Sequence, residues 1–158
     1  MTTQEAYTPE EWTTVFAAPM AAGLFITAAD PSGPIGLFQE AMAVSKAITD
    51  AADSSSSEVI KSIGQALKDR KKPEMPKLPK DKEQAHAALL DACKEAADIV
   101  AQKDPAEAEA FRAWLVSVSQ IVAQASKEGG FLGFGGTRVS ADETAAINQL
   151  SSTLGVSA

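Results

Sequence analysis

The two side chains best suited to chemistry each occur once in this chain, His86 and Cys93, seven residues apart. On a helix that spacing places both on the same side. They would offer a metal two ligands, whereas a structural zinc site needs four. Nucleophilic use would need a third group to orient the base, and the spacing supplies none. His86 therefore reads as a partly buried structural histidine beside Leu89, Leu90 and Cys93. Carboxylates are plentiful, among them Asp30, Asp50, Asp53, Asp98, Asp104, Glu128, Asp142 and Glu143. Most stand at helix starts or on solvated faces, where the helix dipole accounts for them. None follows the alternate-residue oxygen spacing of an EF-hand loop. No catalytic residue, no metal ligand and no cofactor is expected, and the chain does not read as an enzyme.

One further stretch invites a site. In KEGGFLGFGGTRVSADE, five of the ten glycines (Gly129, Gly130, Gly133, Gly135, Gly136) surround Phe131, Leu132 and Phe134. A phosphate cradle would use the free N–H groups of the helix that follows, with Arg138 assisting. The glycine spacing matches neither the Walker nor the dinucleotide pattern, and a helix stands where the preceding strand should be. A membrane or partner tip would expose Phe131, Leu132 and Phe134. The favoured reading is a turn that ends the helix with a left-handed glycine and plugs one end of the core with its aromatics.

Charge narrows the partners. The net charge is −7, which disfavours nucleic acid, since binding there needs a cationic surface. Residues 68–82 oppose the trend: seven cations (Lys68, Arg70, Lys71, Lys72, Lys77, Lys80, Lys82) against Asp69, Glu74 and Asp81 make that window +4 and the remainder −11. A lone cysteine cannot close an internal disulfide. The N-terminal residues lack a basic-then-apolar leader, and the longest apolar run, around residues 16–29, is interrupted by Pro19, Gly23 and Thr27. A cytoplasmic location is the expectation.

The elements that must position these residues read as helices almost throughout. Thr8, Pro9 and Glu11 form a start of cap, proline and back-reaching glutamate, followed by Trp12, Val15 and Phe16 on one face. Pro19 is expected to end or kink that helix, with a second running from Pro19 to about Ala29. A third carries Phe38, Ala41, Met42, Ser45 and Ile48. Ser55 or Ser56 is expected to cap a fourth bearing Ile60, Ile63 and Leu67. Pro73, Pro76 and Pro79 recur every third residue and suit an extended connector. Asp81 and Gln84 start the next helix, whose face is Leu89, Ala92, Cys93, Ala96, Ile99 and Val100. Asp104, Pro105 and Glu107 start another, with the stripe Phe111, Trp114, Leu115, Val118, Ile121, Val122 and Ala125. Ser140 and Glu143 form a capping box before a last helix that buries Ile147, Leu150 and Leu154.

The segment VAQASKEGGFLGFGGTRVSADETAAINQLSSTLGV resembles the C-terminal signature of a family of short bacterial helical proteins, GGFLGFGG-x-x-VS-x-x-E, and PEEWTTVFAAPMAAGLFITAADPSG resembles that family's start. No activity is attached to the family, so the resemblance implies a helical fold and no site. More distantly, RVSADETAAINQLSSTLGV is similar to the loop-plus-helix ending of tellurite-resistance TerB-like domains. There an acidic ADG precedes the V-S-x-x-E start; here the acids before the loop are reduced to Glu128, with Asp30 before the earlier turn that holds Gly33 and Gly36.

These readings add up to one all-α domain over 1–158, a bundle of about six or seven helices. A helical half at 8–71 and another at 81–155 are joined by the Pro/Lys-rich connector 72–80. The function expected is non-enzymatic, through contacts with a protein or small ligand. A TerB-like ion- or stress-linked binding domain and a peripheral membrane protein are the alternatives, with membrane contact not favoured. The candidate interaction surface is Phe131, Leu132, Phe134 and Arg138 of the glycine loop with Lys71, Lys72, Lys77 and Lys80 of the connector.

Overall fold

The computed structural model describes residues 3–29, 34–128 and 141–156. Within them the chain is all-α: a short 3-10 turn (Thr3–Ala6), then α1 (Pro9–Ala29), α2 (Pro34–Ser54), α3 (Glu58–Lys68), α4 (Lys82–Lys103), α5 (Pro105–Glu128) and α6 (Ala141–Leu154). One contiguous apolar core draws on all six helices. α1 lies at its centre, packed chiefly on α4 and α5 and also touching α2 and α6, while α2 packs on α5 and α3.

The helix does not end at Pro19, and no second helix starts there, because α1 runs through it. A proline inside a helix removes one hydrogen bond and costs roughly 3 kcal/mol. Against that, Val15, Phe16, Phe25 and Ile26 are all buried, and burial of a side chain of this size contributes about 1.5–3 kcal/mol. α1 is apolar on nearly every side because it has helices on nearly every side, and packing outweighs the proline.

Local start signals are realised where both partners are neighbours in sequence. The Thr8 N–H donates to Glu11 Oε2 at 2.9 Å and the Glu11 N–H to Thr8 Oγ1 at 3.2 Å, a complete capping box. Asp81 Oδ1 accepts from the Gln84 N–H at 2.9 Å. For α3 the cap is Ser57, whose Oγ accepts from the Ile60 N–H, and neither Ser55 nor Ser56. The choice among adjacent serines is made from outside: Glu107, at the start of α5, accepts from the Ser57 hydroxyl and from the Glu58 N–H.

α5 shows how far a stripe can be trusted. Phe111, Trp114, Leu115, Val118 and Val122 are buried as expected, but Ile121 is 38 % exposed. Of the stripe residues it lies furthest round the helix from the centre of the buried arc. That arc extends the other way, to Val116, Ser119 and Ala123, because α5 contacts α1 and α4 as well as α2 and α3. Ser119 is accommodated by donating to the Val116 carbonyl at 2.6 Å.

At the N-terminal edge of the core Tyr7 packs tilted against Trp12, and Trp12 stacks on Phe16. The Tyr7 hydroxyl is buried with no hydrogen-bond partner. Burial, then the nearby carboxylates of Asp104, Glu107 and Glu11, push this phenol up to about 12. An unsatisfied buried hydroxyl costs about 1–3 kcal/mol, so Tyr7→Phe is expected to raise stability by about 1 kcal/mol in urea unfolding. A loss of that size would show that the hydroxyl is bonded.

Candidate functional site

The residues with intrinsic chemistry are engaged structurally. His86 is half-buried, stacked on the Phe25 ring with centroids 4.0 Å apart. Its Nε2 lies 3.0 Å from the Phe25 carbonyl oxygen. A carbonyl only accepts, so Nε2 carries the proton. The shallow cleft beside it, about 350 Å³, is bounded by Ala28, Lys82, Glu83, Asp142 and Gln149. Cys93 is fully buried on the same helix; its thiol donates to the Ala18 carbonyl at 3.6 Å, and burial pushes its pKa up to about 12. Glu11 also receives Lys103 Nζ at 3.1 Å, and its carboxyl is held below the usual range first by the Thr8 N–H and then by Lys103. Among the described residues no three His, Cys, Asp or Glu side chains cluster as metal ligands.

The connector presents a different surface. Residues 71–79 carry no helix. Met75 is half-buried and packs against the core, Pro73 is half-buried, and Leu78 is 41 % exposed. Lys71, Lys72, Lys77 and Lys80 are all exposed. No carboxylate among the described residues pairs with them or with Arg70; the ion pairs made there are Lys46–Asp50, Lys61–Glu58, Lys68–Asp53, Lys94–Asp98 and Lys103–Glu11.

Where the connector meets α1, α2 and α3 there is an open groove of about 760 Å³, roughly twice the volume of the cleft at His86. Met20 of α1, Leu67 of α3 and Met75 of the connector give it an apolar lining continuous with the core. Lys46, Arg70, Lys71 and Lys72 bring the positive charge. Of the four candidate connector lysines, Lys71 and Lys72 line this groove and Lys77 and Lys80 do not. The other candidates, Phe131, Leu132, Phe134 and Arg138, lie outside the described residues.

Arg70 is the residue that charge spacing alone does not single out. α3 closes with the Arg70 N–H donating to the Leu67 carbonyl and the Lys71 N–H to the Ala66 carbonyl, both at 3.0 Å. This ending needs a left-handed residue just past the cap, usually glycine, and Arg70 takes it with φ 62°. α6 ends the same way, with Gly155 at φ 71° and the Val156 N–H on the Ser151 carbonyl. Among the described residues the same backbone device thus occurs twice, once with the residue that suits it and once with an arginine, at a cost of roughly 1–2 kcal/mol.

No protein-family model, no curated protein and no solved structure matches the chain. Among the described residues no helix is long and apolar enough to cross a membrane.

Proposed function

We propose that this is a non-enzymatic binding protein that engages an acidic protein partner through its basic connector. The observation that carries the reading is the row of exposed connector lysines, Lys71, Lys72, Lys77 and Lys80, unpaired by any described carboxylate on a chain whose remainder is −11. Cations left unneutralised while acids abound are free to meet an acidic surface, and the negative remainder repels such a partner everywhere else. The engagement of His86, Cys93, Glu11 and Glu107 in packing and capping supports a binding role over a catalytic one. A cytoplasmic setting belongs to the same reading, with Cys93 a free, buried thiol.

The test replaces Lys71, Lys72, Lys77 and Lys80 together by glutamine and measures binding of poly-L-glutamate. Exposed pairs contribute about 0.2–1 kcal/mol each, so the variant is expected to melt as the parent does and to bind at least ~10-fold more weakly. Wild-type binding should fall as salt rises. Unchanged binding by the variant sinks the reading. Flotation of the wild type with phosphatidylglycerol vesicles, without poly-glutamate binding, would favour a peripheral membrane role instead.

A further inference from the structure

We infer that the groove between α1, α2, α3 and the connector seats an acidic amphipathic segment of a protein partner. Its apolar side chains would lie against Met20, Leu67 and Met75, and its carboxylates would meet Arg70, Lys71 and Lys72. This deepens the binding reading above and rests on it.

The groove joins two chemistries within reach of one ligand: a lining continuous with the core and a cationic edge on which Arg70, Lys71 and Lys72 have no acidic partner among the described residues, Lys46 being paired with Asp50. A ligand that satisfies both must itself be two-faced, with apolar groups on one side and carboxylates on the other. Two of the four apolar lining residues, Met20, Leu67, Pro73 and Met75, are methionines, whose unbranched, polarisable chains adapt to varied side chains.

The groove is open to solvent. Small-molecule sites commonly bury 70–90 % of their ligand, and a lone fatty acid here would leave much of its surface in water. A peptide segment closes the groove with its own body and brings several carboxylates at once.

Arg70 occupies a backbone position whose counterpart in α6 is Gly155. Glycine would relieve the strain at α3, and the exposed arginine makes no ion pair among the described residues that would offset it. A guanidinium offers a planar fork of donors suited to a carboxylate, and it stands at the groove edge.

Finally, the net negative charge outside 68–82 disfavours approach of an acidic segment to most of the surface. It therefore orients the partner towards this one edge.

The experiment uses the full chain and a fluorescein-labelled synthetic amphipathic helix with leucine on one face and glutamate on the other, followed by anisotropy. The control helix carries lysine in place of glutamate. The expected result is binding of the Glu/Leu helix, weakened by salt, and none of the Lys/Leu helix. Arg70→Gly should raise the melting temperature yet weaken binding about tenfold, separating the binding role of the side chain from the fold. Met75→Ser should weaken binding comparably. Failure of the wild type to bind the Glu/Leu helix, equal binding of the Lys/Leu helix, or unchanged affinity in Arg70→Gly overturns the inference. So does phosphatidylglycerol-vesicle binding that is lost in Arg70→Gly while the Glu/Leu helix stays unbound. If the quadruple lysine variant loses poly-glutamate binding while Arg70→Gly and Met75→Ser keep the Glu/Leu helix, the connector reading stands and the groove falls. If that quadruple variant keeps poly-glutamate, the connector reading itself falls.

Discussion

Trp114→Ala is expected to lower stability by about 3–5 kcal/mol, the range for truncating a large buried aromatic. Trp114 is 6 % exposed and meets Phe111 at a ring separation of 6.1 Å, tilted by 48°. It sits on the helix that touches both halves of the chain, so a cavity there has walls on several elements and collapses poorly. For a chain of this size the melting temperature should fall by about 10 °C. Its indole N–H is buried without a partner, so Trp114→Phe removes an unsatisfied donor along with part of the ring. That substitution should recover a large share of the loss. A drop below about 1 kcal/mol for Trp114→Ala would place the residue on the surface.

Gly64→Val is expected to cost about 3 kcal/mol, at the upper end of overpacking effects. A Cβ built on Gly64 would lie 2.3 Å from the Ala52 Cβ, well inside contact distance. α2 and α3 approach each other through this pair, and any side chain at 64 must push them apart. Gly64→Ala separates crowding from helix propensity. Alanine should gain about 1 kcal/mol inside a helix, so a net loss can come only from the clash. Adding Ala52→Gly to Gly64→Ala should restore most of the stability, because the swap returns one methyl to the same space. Failure of the double variant to recover, measured by denaturant unfolding as a coupling energy, would mean that the helices are not held at this distance by the glycine.

What the sequence discloses follows from how local each decision is. The face of α4 is legible at Leu89, Cys93, Ala96 and Val100 because one helix period decides it. The caps at Thr8 and Asp81 are legible because donor and acceptor lie three residues apart. Pro19 misleads because its local penalty is set against burial by helices far along the chain. Ser57 cannot be told from its neighbours in DSSSSE until Glu107 arrives beside it. The candidate site divides in the same way. Lys71, Lys72, Lys77 and Lys80 stand out by composition. The groove that gives two of them a setting combines Met20, Leu67, Arg70 and Met75 from separate elements, and no single window contains them. The positive φ of Arg70 leaves no mark on the sequence except the absence of a glycine after α3.

The carboxylate of Glu107 ties the first amide of α3 to a helix start 49 residues further along the chain. α3 is only eleven residues long, too short to be stable by itself in water. Its nucleation is therefore completed by a group that arrives only when α5 has docked. In the finished protein the exposed Glu58 amide should be protected from exchange only while the Glu107 carboxylate holds it, so the start of α3 reports on that contact between the two halves.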